Sequence, residues 1–381
     1  MQTPPSAEQG HFRLPTPARI LLVFILLFLF LVAIQMLGSS IKLMGSETAG
    51  DLVRTFDNPF AALAVGVLAT VLVQSSSTTT STIVGLVGSG SATAMSVKAA
   101  VPMIMGANIG TTVTNTIVSV GHVRKSTEFK RAFAAATVHD FFNLLCVLVM
   151  LPLEMATGFL AKSATGMTDS LFGAGGGSFT SPVKTSVKAV YKWVLGHLEG
   201  FGLENMALAL TVLLLGIVLT FICLIFITKN MRVMISGPLE RAMNRALGRS
   251  GLIGILVGIA VTVSVQSSSI TTSLLVPMCA AGILTLPNAF PIMLGANIGT
   301  TVTALLASMA TDQNGLTIAI VHLMFNLLGV LIFYPIKSIR MIPIRLAEGL
   351  AEKSAGNPFW LIAYMLTVFV GVPLLGYLIF R

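Results

Sequence analysis

Charged residues, cysteines and alternating polar–apolar stretches are scarce in this sequence, and each scarcity excludes a class of protein. Only 10% of the 381 residues are charged, whereas 55% are hydrophobic and the mean hydropathy is +0.90. A soluble domain carries roughly 25% charged residues, so a soluble fold is excluded. Three cysteines, an odd number, argue against a full disulfide framework, and their spacing matches no metal site. The alternation typical of a membrane β-barrel is absent.

Long apolar runs are what the sequence has instead. Each is about 20 residues long, which suits an α-helix that crosses a hydrocarbon core of about 30 Å. The chain is therefore predicted to be an all-α polytopic membrane protein. Its net charge of +9 could indicate nucleic-acid binding, but the basic residues stand in short stretches beside apolar spans, as the positive-inside bias produces. We therefore expect a lipid bilayer as a partner and no nucleic acid.

A set of motifs occurs twice in the same order, which indicates an internal duplication. The recurring strings are Gln-Ser-Ser-Ser, GANIGTTVT and His-x-x-Phe-Asn-Leu-Leu. Their first copies begin at Gln74, Gly106 and His139, and their second copies begin at Gln266, Gly295 and His322.

The apolar runs and the duplicated motifs divide the chain into six segments. These are a tail, first span and loop (1–58), a first repeat (59–155), a glycine-rich outside loop with an interfacial amphipathic helix (156–205), a span with a basic inside loop (206–250), a second repeat with an interfacial segment (251–357) and a last span (358–381). Within each repeat the pattern predicts a re-entrant helical hairpin followed by a broken transmembrane helix. The hairpins are expected at 59–90 and 252–285, and the broken helices at 97–120 and 287–308.

Counting the crossings from a cytoplasmic N-terminus gives the two repeats opposite topology. Spans are predicted at 20–37, 132–152, 206–228, 317–335 and 358–380, with connecting loops at 42–58, 122–131, 229–250 and 311–316. The basic stretches then lie inside, and the glycine-rich loop and the C-terminus lie outside. Inverted repeats place a binding site near the bilayer midplane, where discontinuous helices meet. We expect the inner (plasma) membrane, and the oligomeric state stays open, with a homodimer as one candidate.

The duplicated motifs are rich in amide oxygens and hydroxyl groups but contain neither lysine nor arginine. Amide oxygens and freed backbone carbonyls suit Na⁺, and the neighbouring glycines would let a helix unwind to expose them. Hydroxyl groups and helix N-termini can donate to an oxyanion. Importing a divalent anion against −100 mV costs roughly twice 2.3 kcal/mol, which two Na⁺ would cancel. Co-bound cations are therefore expected to supply most of the neutralising charge.

The strings VQSSSTTTSTIVG, PMIMGANIGTTVTNTIV and RAFAAATVHDFFN, with their second copies, resemble the type II sodium-dependent phosphate cotransporter family (Na/Pi cotransporters), and the chain looks like a bacterial member. The resemblance covers most of the chain. It implies Na⁺-coupled symport of inorganic phosphate into the cell by alternating access, and it implies a transporter rather than an enzyme. No cofactor is implied beyond the transported Na⁺.

The resemblance and the duplicated motifs together define the candidate site. Phosphate is expected at Ser75, Ser76, Ser77, Thr78, Ser267, Ser268 and Ser269. Na⁺, the one metal implied, is expected at Gln74, Asn108, Thr111, Thr112, Gln266, Asn297, Thr300 and Thr301. A gating or ion role is a hypothesis for Asp140, His139, Asn143, His322 and Asn326, since ionisable residues inside spans are functional candidates. A structural role is the alternative for Asp140 and both histidines.

Several other functions fit the sequence less well. A carrier of another oxyanion, or a phosphate exporter, would use the same groups. An intramembrane hydrolase needs one activated serine beside a positioned base, whereas the serines here occur in two matched clusters and the histidines lie on other segments. A passive channel would not need two sets of oxygen ligands.

Overall fold

The computed structural model describes residues 15–44, 56–90, 94–123, 126–174, 182–246 and 251–381. Every regular element in these ranges is helical, which confirms the all-α prediction. Six of the helices in the described ranges are long and apolar enough to cross a membrane. The predicted N-terminal tail up to residue 14, residues 45–55 of the loop 42–58, and residues 175–181 of the glycine-rich loop lie outside the described residues.

The helices follow one another with short connections. They are α1 (Thr16–Leu43), α2 (Pro59–Val73), α3 (Ser76–Val87), α4 (Val97–Gly110), α5 (Val113–Val120), α6 (Ser126–Thr157), α7 (Phe159–Ala174), α8 (Pro182–Gly200), α9 (Asn205–Ala246), α10 (Gly251–Val265), α11 (Ser268–Ala280), α12 (Leu286–Ser308), α13 (Gln313–Phe333), α14 (Lys337–Gly356), α15 (Phe359–Leu366) and α16 (Val372–Phe380), with a π-helical turn at Thr367–Gly371 between the last two.

Each Gln-Ser-Ser-Ser motif forms a two-residue break between two helices. Gln74 adopts the left-handed conformation, with φ 55°, and ends α2; Ser75 is extended and caps α3 by accepting from the amide three residues on, at 3.2 Å. Gln266 and Ser267 repeat this geometry between α10 and α11, with φ 56° at Gln266. A serine N-cap satisfies an otherwise unpaired amide of the first turn. The two copies thus share local structure as well as sequence.

The glycines of the GANIG strings allow close helix packing. A Cβ added to Gly106 would lie 2.1 Å from the carbonyl oxygen of Leu63 in α2, and one added to Gly295 would lie 2.0 Å from that of Ile255 in α10. These contacts bring α2 against α4 and α10 against α12, as small residues do between membrane helices. The prediction had assigned these glycines to helix unwinding.

The two predicted broken helices turn out differently. The first is interrupted, because α4 ends at Gly110 and α5 begins at Val113. The prediction of a broken helix at 287–308 is wrong, since α12 is continuous from Leu286 to Ser308. The tight contact of its glycines with α10 holds this backbone helical.

The middle segment contains a helix that the sequence reading assigned to a flexible loop. α7 occupies residues 159–174, so the loop prediction is wrong over this range. Its first turn is capped by Glu154, whose carboxylate oxygens accept from the amides of Leu160 and Ala161 at 2.6 and 3.3 Å. α7 packs against α13, where Thr317 donates to Thr168 at 3.1 Å. The predicted amphipathic helix is confirmed as α8.

Three predicted loops are partly helical. α9 continues to residue 246, α6 begins at residue 126 and α13 begins at residue 313, so the loops 229–250, 122–131 and 311–316 were predicted too long. Lysine and arginine are good helix formers. An apolar run therefore shows where a span meets water and not where its helix ends.

The helices that precede the two helix–break–helix units run antiparallel. Arg19, near the start of α1, donates to Asn230, late in α9, at 3.1 Å. Gly216, in the first half of α9, lies against Ala33 and Leu37 of α1. Equivalent elements of the two halves therefore point in opposite directions along their contact.

Candidate functional site

Both Gln-Ser-Ser-Ser motifs line one cavity of about 450 Å³. Gln74 to Thr78 form one side, Gln266 to Ile270 form another, and one face of α9 closes the space between them. The predicted phosphate-binding residues of both halves are thus brought together. Their binding role is a prediction that the geometry leaves untested.

The first turns of α3 and α11 both begin at this cavity. Ser76 and Ser268 are buried, and Ser75 and Ser267 are partly exposed at the two caps. The first amides of a helix point away from its axis end without intrahelical partners, and the dipole adds a partial positive charge. Two converging N-termini with serine hydroxyls form a donor-rich surface that suits a small oxyanion.

The glutamines at the breaks bind protein groups. The side-chain nitrogens of Gln74 and Gln266 donate to the carbonyls three residues earlier, at 2.6 and 2.7 Å. Their side-chain oxygens accept from Thr114 and Thr303, each at 3.1 Å. Each glutamine therefore ties its break to the helix that follows in the same half. A carbonyl oxygen has a second lone pair, so a contact with Na⁺ stays a prediction.

Hydrogen bonds join each half to the other close to the breaks. The hydroxyls of Ser77 and Thr300 are 3.2 Å apart, which links α3 to α12. Asn115 of α5 accepts from Thr272 and Ser273 of α11, at 3.0 and 3.1 Å. The sequence reading missed Asn115, although an amide inside an apolar segment was a signal that could have found it.

The predicted asparagines do not line the cavity but form a separate buried cluster. Asn326 donates to the side-chain oxygen of Asn108 at 3.2 Å, and Asn297 donates to that of Asn143 at 2.9 Å. These two bonds are equivalent under the duplication, and each crosses from one half to the other. Asn143 also donates to the backbone oxygen of Asn108 at 2.8 Å, and His139 lies 2.5 Å from Asn297.

Other predicted site residues bind within their own surroundings. The hydroxyls of Thr111, Thr112 and Thr301 donate to carbonyls three or four residues earlier, at 2.7–3.0 Å. Asp140 is buried in α6 and accepts from the hydroxyl of Tyr364 at 2.7 Å. Neither ring nitrogen of the buried His322 has a hydrogen-bond partner among the described residues.

A face of α9 that the sequence reading missed completes the cavity wall. The lining residues are Phe221, Leu224, Ile225, Thr228, Lys229 and Arg232. Their spacing of three and four places them on one side of a helix. The earlier argument considered the charges of the repeated motifs alone, so it left out these two cations. A helical period that ends in basic residues was the available signal.

A duplicated helical membrane fold with a polar cavity between its two halves belongs to the class of membrane transporters that are built from repeats. Residues 29–175 and 219–342 match the Na⁺/Pi-cotransporter family, and the chain belongs to this family. The resemblance found in the sequence is thereby confirmed.

Three relatives illustrate the match. Sodium-dependent phosphate transport protein 2A of Rattus norvegicus is 34% identical over 420 residues, which cover 91% of this chain and 65% of the relative. The 2B proteins of Pongo abelii and Homo sapiens are 33% and 32% identical over 447 residues, covering 93% of this chain and 64% of each relative. The chain thus spans a little less than two thirds of their length. No solved structure matches. The family and these relatives carry names of transporters and not of enzymes, in agreement with the prediction.

Proposed function

We propose that the protein is a secondary active transporter that carries inorganic phosphate together with Na⁺ into the cell by alternating access. The observation that carries the proposal is the single cavity lined by both Gln-Ser-Ser-Ser motifs, with two helix N-termini at its surface. The family membership and the names of the relatives support the choice of phosphate and Na⁺.

The two halves act as inverted repeats with re-entrant hairpins in this proposal. The antiparallel contact of α1 with α9 supports it, because these helices precede equivalent units. Arg19, Lys229 and Arg232 lie at one end of that pair, and the positive-inside bias makes this the cytoplasmic end. The N-terminus is then cytoplasmic, and the cavity is reached from the cytoplasm of a cell whose plasma membrane holds the protein.

Na⁺ coupling is assigned to oxygen atoms of both halves. The buried cluster of Asn108, Asn143 and Asn297 concentrates amide oxygens where the halves meet. Gln74 and Gln266 place further amide oxygens at the cavity itself. Occupation of such sites by Na⁺ would bias the contacts between the halves, which is what coupling to phosphate requires.

The test is uptake of radiolabelled phosphate into proteoliposomes with an inward Na⁺ gradient or with K⁺ instead. Ser76→Ala and Ser268→Ala should each lower kcat/KM about tenfold or more, because a hydrogen bond to a charged group contributes roughly 1.5–3 kcal/mol. Ser170→Ala is the matched control, since this serine is exposed on α7 and donates to a carbonyl of its own helix.

Uptake that is independent of Na⁺ would contradict the coupling. Unchanged uptake by the two variants would contradict the site. A second candidate, the carrier of another oxyanion, predicts that excess sulfate competes with labelled phosphate, whereas arsenate alone should compete if phosphate is the substrate.

A further inference from the structure

We propose that Lys229 and Arg232 are specificity-determining residues of the cavity: they hold the oxyanion by charge and favour a dianion over a monoanion. This inference rests on the proposed function and deepens it. It assigns a role in anion selection to a helix outside both duplicated motifs.

The first observation is the face of α9 that closes the cavity. It is apolar at Phe221, Leu224 and Ile225, and it becomes polar at Thr228 and Lys229 and, one turn further, at the arginine. Basic side chains at the end of a span commonly extend along the helix to reach water or lipid headgroups. These two instead stand on the same face as the residues that line the cavity wall, so their charge acts on its contents.

The second observation is the balance of charge. Among the residues that line the cavity, all within the described ranges, two are cationic and none carries a carboxylate. The serine hydroxyls and the helix N-termini donate hydrogen bonds without a full charge. The wall therefore has a formal charge of +2, which matches a doubly charged oxyanion, and the arginine can bind two oxygens at once.

The third observation is the fixed position of this part of α9. Asn230, between the two cations, is buried and accepts from Arg19 of α1 at 3.1 Å; it also donates to the carbonyl of Phe226 at 2.8 Å. α1 packs along α9 over much of its length. The two cations thus stand on a supported backbone, which is what a selective charge contact requires.

The experiment measures phosphate binding to the purified protein by the rise in its unfolding temperature with added phosphate, in NaCl and in KCl. Binding to the folded state raises this temperature according to the ratio of ligand concentration to dissociation constant. Lys229→Gln and Arg232→Gln should each weaken binding about tenfold, the order expected for one partly solvated charge a few ångströms from a dianion. Lys229→Arg should retain the affinity of the wild type.

A charge-based role also predicts how binding responds to salt and to ligand charge. The Gln variants should lose part of the dependence of binding on ionic strength. They should also lose preference for phosphate over methylphosphonate supplied as its monoanion. Lys337→Gln is the matched control, because this lysine is exposed at the start of α14, away from the cavity. It should change neither quantity.

The outcomes separate the two proposals. Phosphate binding by the wild type with unchanged affinity and salt dependence in both Gln variants would overturn this inference and leave the proposed function standing. Failure of phosphate to stabilise the wild type in Na⁺ would overturn both. Unfolding temperatures measured without phosphate show whether each variant is folded, and the Lys229→Arg variant tests the charge where Lys229→Gln does not fold.

Discussion

The contact between α10 and α12 gives a sharp test of the packing described here. In Gly295→Ala the new Cβ would lie 2.0 Å from the carbonyl oxygen of Ile255. An ordinary contact needs about 3.4 Å or more, so the helices must separate by about 1.4 Å or tilt. Both contacting groups are backbone or Cβ atoms, and no side-chain rotation can relieve the overlap.

The magnitude follows from two opposing effects. Overpacking a tight contact costs about 1–3 kcal/mol, while alanine in place of glycine gains about 0.4–1 kcal/mol through the unfolded chain. Gly349→Ala, in α14, is the matched control, because a Cβ there would meet nothing within 4 Å. We expect Gly295→Ala to lower the unfolding temperature and Gly349→Ala to leave it unchanged or raise it.

The chain carries its own reporter for the assay. Cys146, Cys223 and Cys279 are free and buried, so a fluorogenic maleimide reacts with them as the protein unfolds on heating in detergent. An unfolding temperature of Gly295→Ala equal to or above that of the Gly349→Ala control would refute the close packing of these helices.

Two further predictions concern buried carboxylates and use the same assay. Tyr364→Phe removes the hydroxyl that donates to Asp140, which should cost about 1–3 kcal/mol because the carboxylate loses a buried partner; the loss should shrink in an Asp140→Asn background, and an equal loss there would argue against the pair. Glu154→Ala removes the cap of α7 and should cost about 0.5–2 kcal/mol, as other N-caps do. Glu154→Gln should recover part of that stability, and a wild-type unfolding temperature in Glu154→Ala would contradict the capping role.

The sequence predicts well the parts of the fold that depend on local composition. Apolar length located the spans, and the Gln-Ser-Ser-Ser motifs located both helix breaks, because a polar cluster with a serine cap interrupts an apolar helix at a defined residue. The string that contains Gly295 was harder to interpret. A glycine can unwind a helix or admit a neighbour, and the choice depends on α10, which pattern alone does not place beside it.

The candidate site shows the same limit. Serines of both motifs were predicted to meet, and they line one cavity. Asn108 and Asn297 were predicted for the same site, but they lie in a separate buried cluster because each faces the helix that carries the other half's asparagine. Lys229 and Arg232 were assigned to a loop, since charge following an apolar run looks like a membrane boundary whether or not the helix continues.

The difference between the two halves has a mechanical consequence. One half has a joint, between Gly110 and Val113, where the other has an unbroken rod from Leu286 to Ser308. Under the inverted arrangement proposed above, two identical halves would leave the middle of the protein equally accessible from both faces of the bilayer. A jointed half opposite a straight one removes that equivalence, so bending of the rod together with straightening of the joint would turn the molecule's open side to the opposite face.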